Sequence, residues 1–475
     1  MQLSFPYTIQ LCLLIFSQDD FFHFKVSFTG GSISQFVNFF GFHSFAERGI
    51  AFYRPVFREA LFNTFYALFG LNPYPFRVLQ FFLLFLNSAL AYYLIYKLFK
   101  DRNLSFFVAF FYAVCAAQVA SLYYLAGGIQ VLGATTFLLL TLILIIKHSA
   151  FSFVTFLLAL GSHELTSVLP FLISALLFIQ YPVDKAIRKI WQVLPFFFVL
   201  FGYLYLEIFK IGFSTKELQY QTVFNIKTLL NSYMWYVGWA LGLPEMLIDF
   251  VQPGFKLNSA LMRYWGNYYL IIFSAFFISL FLLITGTTYL LIKKNKLFLN
   301  KKFLFFALWF IFSLVPVILL PLHKSTQYLE TGLVAFWTII RLIILNVYRL
   351  KTARIFCAVL IISLFTLSAT SAILQRTTYW AAERGKYAKQ LIEYVIALYP
   401  TLPKGAIVYF ENDPNYPFVA KDWGSSSKQA SFILNNEDAL RLIYKDPTLK
   451  VFYQDLIQPP INPENKIYKI KAKVF

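Results

Sequence analysis

Charge is what this chain has least of. Only 13% of its 475 residues are charged, against roughly 25% in an ordinary soluble domain, which excludes a soluble globular protein. Acids are the scarcer sign, and 12 of the 22 fall in residues 1–375. Cysteine is nearly absent. Cys12, Cys115 and Cys357 each sit inside an apolar stretch, so they read as small buried hydrophobes and leave no disulfide framework or cysteine metal set. A Walker loop, a dinucleotide fingerprint and a nucleophile elbow are also missing, so a soluble nucleotide donor is not indicated.

What is present is hydrophobic: 59% of residues, with 20% aromatic. Apolar stretches of about 20 residues recur, each long enough to cross a hydrocarbon core of about 30 Å. The expected fold is an all-α polytopic membrane protein of about 11 transmembrane helices with a small C-terminal α/β extracytoplasmic domain. The spans are placed near 3–17, 77–98, 104–123, 129–147, 150–161, 165–181, 191–210, 267–292, 303–321, 326–347 and 355–375. A β-barrel would show alternating segments of about ten residues instead. The first stretch lacks a basic n-region and a small-residue cleavage site, so it reads as a retained span that is short for its role.

The net charge of +19 lies in the wrong places for nucleic acid. Fifteen basic residues occupy the short loops Lys97–Arg102, Lys147, Lys185–Lys189, Lys293–Lys302 and Arg349–Arg354, with only Asp101 and Asp184 beside them. That bias assigns these loops to the cytoplasm. By parity the loop 18–76, the turns at Gly127, His163 and His323, and the segment after residue 375 lie outside. Within 18–76, apolar patches at 33–42 and 57–71 suit helices lying in the interface. The stretch 228–250 upsets the alternation if it crosses. Its Gly242-Leu243-Pro244-Glu245 interruption points to two half-helices or a re-entrant hairpin. Residues 1–375 thus form the membrane domain, and 376–475 a polar domain with an amphipathic helix at 379–399, strands at 406–410 and 450–453, and a helix near 437–444.

Four constellations carry chemistry. Asp19 and Asp20 follow the first span directly. One carboxylate there serves as a general base or a metal ligand; the plainer reading is a helix cap, which needs only one acid. Arg54 and Arg58, in Tyr53-Arg54-Pro55 and just after it, run against the positive-inside trend and match the bidentate geometry of phosphate; contact with anionic headgroups is the plainer reading. Ser162-His163-Glu164 forms a tight turn, with His163 or Glu164 placed to meet phosphate or sugar. Leu322-His323-Lys324 is the fourth, with His323 or Lys324 placed to neutralise a leaving phosphate; a polar turn reaching water is the plainer reading of both. His23, His43, His163 and His323, with the two acids, leave room for a divalent metal, though at no compact ligand spacing.

Taken in order, these motifs resemble the GT-C class of integral-membrane glycosyltransferases, particularly the branch related to protein O-mannosyltransferases. The likeness lies in the acidic pair after the first span, Tyr53–Pro55 ahead of Ala67–Pro73, the turn Ser162–Glu164, the stretch Pro321–Leu329, and the amphipathic helix after the last span. It covers much of residues 15–180 and 316–348. Two positions depart from it: His163 stands where the turn would hold a lysine, and Gln327 where an arginine would precede Tyr328. Both remove a permanent positive charge and shift phosphate handling to Lys324 and the outer arginines. The resemblance implies a GT-C-like fold and an inverting transferase at the cell (plasma) membrane. It would move a sugar from a polyprenyl-phosphate donor to an acceptor hydroxyl, with Asp19 or Asp20 as base. Rival readings are a transporter or flippase of lipid-linked sugars, a surface-polysaccharide polymerase or ligase, and a non-catalytic scaffold.

Overall fold

A computed structural model describes residues 16–212, 220–254, 256–348, 353–416, 424–460 and 466–474. Most of the first expected span, Cys12 and most of the basic loop Arg349–Arg354 lie outside the described residues. The chain is a helical membrane protein with few strands. Among the described residues, six helices are long and apolar enough to cross a bilayer: Tyr74–Phe99, Leu125–Ile146, Val183–Ile211, Ser259–Ile292, Lys301–Ile318 and Arg354–Leu398. Arg102–Val114, Phe151–Leu160, Glu164–Gln180 and Leu333–Tyr348 are shorter. Six helices therefore reach spanning length by themselves, where eleven spans were expected. The reason is local. The stretch 104–123 breaks at Cys115, whose ψ of 135° leaves the helix before it resumes at Gln118–Tyr123. Gly161 ends another helix, and 326–347 opens with a short 3-10 turn before Leu333.

The basic loops gather at one end of the bundle. Lys302 Nζ donates to Leu98 O (2.5 Å). Lys97 and Lys147 both sit over the Tyr93 ring, at 5.3 and 5.2 Å. His148 bonds Tyr181, whose ring lies under Lys189. The acidic and histidine turns collect at the opposite end, called here the site end.

The segment 228–250 forms one 16-residue helix, Ile226–Leu241, not two halves. Gly242, at φ +119°, stops it, and a single helical turn and a two-residue β-hairpin follow. Both ends of this helix are pinned at the site end. Val223 N donates to Leu319 O, and Cys115 Sγ to Ala240 O (3.6 Å). Its two ends therefore lie at the same end of the bundle. Its outer stripe of Ile226, Leu230 and Met234 is exposed, as befits a helix resting in the apolar edge of a bilayer.

Leu125–Ile146 is the central helix, 72% buried. Gly128 and Gly133 let it approach its neighbours closely: a Cβ at Gly128 would lie 1.9 Å from Ser121 O, and one at Gly133 2.1 Å from the Phe57 ring.

After the last long helix the chain turns at Tyr379 and continues as Trp380–Leu398. A three-stranded parallel sheet follows, in the order 450–453, 407–411, 467–471. Helices Ser426–Leu434 and Asp438–Tyr444 supply the first crossover. The apolar side chains of Val408, Phe410, Ile433, Leu440 and Ile470 form its core together with Phe21 and Phe24 from the Asp19–Ser27 helix. The C-terminal hundred residues are therefore packed onto the first described helix. Lys25 and Asp438 pair across this contact at 2.9 Å.

Candidate functional site

Four residues, Ser17 to Asp20, are held from several directions. Gln18 has φ +48°, a left-handed value that costs a side-chain-bearing residue on the order of 1–3 kcal/mol. Its N–H donates to Ile433 O (2.8 Å), and its side-chain oxygen accepts from Arg384. Asp20 is buried. One of its oxygens accepts from Ser17 N (2.9 Å) and the other from Ala126 N (2.8 Å), in the first turn of the central helix. Burial pushes the Asp20 carboxyl up to about 7, against the pull of those amides and of Arg77. Asp19 is half-buried and accepts from Tyr124 Oη at 2.5 Å. The two acids thus differ in kind: Asp20 fastens two helix starts together, and Asp19 is partly exposed against Tyr124, whose ring neighbours Trp380 and, over it, Arg384. The Tyr124 and Trp380 rings are 5.1 Å apart.

The second part of the site lies one helical turn along the central helix. Gln130 Oε1 accepts from Arg54 Nη1 (3.1 Å). Arg54 also grips Glu164 with a two-pronged contact, Nε to Oε2 at 2.8 Å and Nη2 to Oε1 at 2.5 Å. His163 is buried beside Glu164, and its Nδ1 accepts from Leu165 N (3.3 Å), which caps the short 3-10 turn that carries Glu164. The Arg54 loop and the His163 turn are also joined by Val56 N donating to Gly161 O. Two π-helical turns, Pro55–Ala60 and Leu206–Ile211, flank this pair; π-turns often mark functional positions. In the second of them, Glu207 accepts from Tyr53 N (3.2 Å).

The third turn closes the arrangement. His323 Nε2 and Tyr328 Oη are 2.6 Å apart. The Tyr328 ring lies 6.2 Å from His163, and Tyr220 lies 5.0 Å from His323. Burial, then the Arg54 charge, lowers His323 to about 4, so it is neutral near pH 7 and acts as a hydrogen-bonding group. Lys324 is half-exposed and keeps its charge accessible, although burial draws its pKa down. Gln327 reaches back to the central helix: its Oε1 would lie 2.7 Å from a Cβ at Gly127. Tyr124, Gln327 and Gln130 therefore lie between Asp19 and the Arg54–Glu164 pair.

Of the residues expected from sequence, Asp19, Arg54, His163, Glu164, His323 and Lys324 share this end of the bundle. Arg58 is turned elsewhere. It is buried against Glu59 and donates to Ala51 O and Phe52 O, so its guanidinium is committed to its own loop. Among the described residues, no three His, Cys, Asp or Glu side chains converge to hold a metal ion. Tyr124, Gln130, Glu207, Glu330 and Arg384 were not singled out from the sequence. Glu330 is buried and accepts from Tyr112 Oη, Ser121 Oγ (3.0 Å) and Gln118 Nε2 (3.3 Å), which fixes the end of the Gln327–Tyr328 turn. Glu245 fixes its start, accepting from Thr326 N and Oγ1 at 2.6 Å.

Because Arg54 and Glu164 are only 16% and 19% exposed, removing one leaves the other poorly solvated. Glu164→Ala should destabilise the protein by on the order of 2 kcal/mol. The double variant Arg54→Gln/Glu164→Gln should regain part of that, both read as thermal unfolding in detergent.

Set against protein-family models, curated proteins and solved structures, the chain matches none.

Proposed function

We propose that this chain is an inverting glycosyltransferase of the GT-C type. In this reading it moves a sugar from a polyprenyl-phosphate donor to an acceptor hydroxyl at the outer face of the cell membrane. The observation that carries it is the pairing of the partly exposed Asp19 with Tyr124, at the end of the bundle that also holds Lys324, the Arg54–Glu164 pair and the two histidine turns. A transferase of this kind needs a base, a place for a developing phosphate anion, and a membrane edge for the lipid tail.

The step follows from these parts. Asp19, oriented by Tyr124, takes the proton of the acceptor hydroxyl. The freed oxygen attacks the anomeric carbon on the face away from phosphate, the carbon–oxygen bond to phosphate breaks, and polyprenyl phosphate leaves with the electron pair. Asp20 holds the base in register and takes no proton from substrate. Lys324 supplies positive charge where the anion develops, an electrostatic role often amounting to several kcal/mol, and the Arg54–Glu164 pair holds the neighbouring turns in place. The four shorter helices, taken with the six long ones and the stretch before residue 17, make up the eleven spans of this reading. Residues 376–475 form its outer domain.

The clustering of lysines at one end supports the orientation, because basic loops stay in the cytoplasm. The exposed positions Leu322 and Lys296 test it. A membrane-impermeant maleimide should label Leu322→Cys in intact cells and Lys296→Cys only after permeabilisation; the reverse pattern overturns the outer placement. The chemistry is tested by turnover. Purified protein incubated with polyprenyl-phosphate hexose and pentose donors should release free polyprenyl phosphate when acceptor is supplied as crude envelope glycan, lipid and protein fractions. No release with any donor would end the assignment.

A further inference from the structure

The buried arginines at the site end all have partners. Arg54 is held by Glu164 and Gln130, Arg58 by Glu59 and two carbonyls, and Arg77 by Gln80 and two carbonyls. Arg341, toward the opposite end, differs. It is the one charged residue of Leu333–Tyr348, an otherwise apolar helix inside the bundle. Among the described residues its guanidinium makes no hydrogen bond and no ion pair, and its Nε is enclosed without an acceptor. Asp101 is the acid whose charge reaches it, but that carboxylate caps the Arg102–Val114 helix by accepting from Leu104 N (3.0 Å). An ionised group within a span is costly to keep and marks a functional position.

Three helices meet around Arg341. The Phe107 ring of Arg102–Val114 lies 5.1 Å from its guanidinium carbon. Cys357 of Arg354–Thr378 donates to Ile344 O (3.7 Å), close by on the Arg341 helix. Phe110 and Phe365 stack across the two flanking helices at 6.0 Å. Phe106, Phe110 and Phe365 are exposed, an apolar surface that acyl chains suit. Seven residues, about 10 Å of helix, separate Arg341 from the helix end at Tyr348. That is the end where the basic loops gather: Arg102 and Arg354 are exposed there, and Arg354 lies over the Tyr348 ring. A long cationic side chain at this depth can carry its charge to the level of lipid phosphates.

We propose that Arg341 binds the phosphate of an anionic phospholipid in the leaflet at the basic end of the bundle, as a resident lipid of the folded protein. The inference is independent of the transferase reading and concerns the end opposite Asp19. The guanidinium fork matches the oxygens of a phosphodiester, and the Phe107 ring supports the fork. The lysines and arginines of the basic loops enrich anionic lipid at that surface and disfavour a choline headgroup. An acid on a neighbouring copy could also answer the charge. The basic loops and the exposed rings beside Arg341 favour the lipid.

The test is direct lipid binding. Full-length protein in nonionic detergent is titrated with phosphatidylglycerol and, separately, with phosphatidylcholine, and bound lipid is counted by native mass spectrometry. Wild type should hold one phosphatidylglycerol about tenfold more tightly than phosphatidylcholine, the size expected of one charge-assisted contact. Arg341→Gln should erase that preference, and Arg341→Lys, which keeps the charge and loses the fork, should fall between the two. Lys296→Gln, which removes an exposed charge at the same end of the bundle, should leave the preference intact. Inorganic phosphate at millimolar concentration offers the anion without acyl chains and should displace little lipid. An undiminished preference in Arg341→Gln overturns the inference, and so does a wild type that shows none. If Arg341→Gln fails to fold, Arg341→Lys decides: unchanged affinity overturns the inference and weakened affinity supports it. Displacement by inorganic phosphate as complete as by phosphatidylglycerol makes this a soluble-anion site and overturns the lipid assignment. An oligomer of wild type that Arg341→Gln dissociates, with lipid affinity unchanged, assigns the charge to a neighbouring copy and overturns it too.

Discussion

Asp19→Asn is expected to lower transfer from a polyprenyl-phosphate donor by about 10²–10⁴-fold, the usual contribution of a positioned general base, with the fold unchanged. Asparagine fills the same volume and still accepts the Tyr124 hydroxyl, so packing and the Gln18 and Asp20 tethers remain. What disappears is the capacity to take a proton. Asp20→Asn should behave differently. Its side chain accepts from two backbone amides, and an amide can satisfy only one of them, so stability should fall along with activity. The comparison therefore has a definite form: a fully folded, inactive Asp19 variant beside a less stable Asp20 variant whose residual activity follows its folded fraction. Polyprenyl phosphate released per folded molecule, with folded protein measured by size-exclusion chromatography, reads both. Full activity in folded Asp19→Asn would remove that carboxylate from the mechanism.

The largest effect on stability should come from one methyl group. Gly128→Ala places a carbon 1.9 Å from Ser121 O and 2.9 Å from the Gln80 side-chain nitrogen. The first obstacle is backbone, so it cannot swing away as a flexible side chain would. Relief requires the Leu125–Ile146 helix to withdraw from the Gln118–Tyr123 helix, and that movement pulls Ala126 from Asp20 and Tyr124 from Asp19. Overpacking commonly costs 1–3 kcal/mol, and more where the backbone must shift. We expect about 3 kcal/mol or more, seen as lost monodisperse protein and earlier thermal unfolding in detergent. Gly202→Ala, where an added carbon meets nothing within 4 Å, is the control that should leave both unchanged.

The long apolar helices were legible because hydrophobic length is a strong and local signal. Tyr74–Phe99 and Leu125–Ile146 lie within a few residues of the stretches expected from sequence. In the C-terminal region, Trp380–Leu398 was legible from its amphipathic periodicity and Lys450–Tyr453 from its strand-like composition. Ser426–Leu434 was not, because its sequence opens on polar residues and its burial comes from partners far along the chain. Ile467–Lys471 was also missed: its lysines alternate on an exposed face, and its pairing with 407–411 is non-local. The same distinction holds at the site. That Asp19, Glu164 and His323 would share one end followed from counting spans. That Arg54 would be neutralised by Glu164, 110 residues away, had no local trace, and neither did the meeting of Tyr124 with Asp19. Glu207 and Glu330 left one usable signal, a lone acid in an apolar setting, which a search for clustered motifs passes over.

The order in which the parts of the site end are made also matters. Gln18 and the arginine that binds it are 366 positions apart, and Lys25 waits longer still for Asp438. A ribosome feeding this protein into a bilayer delivers Asp19 first and the segments that clamp its helix last. Until those late segments have emerged and docked, the helix carrying Asp19 lacks their anchors. The site end is therefore completed only near the close of biosynthesis.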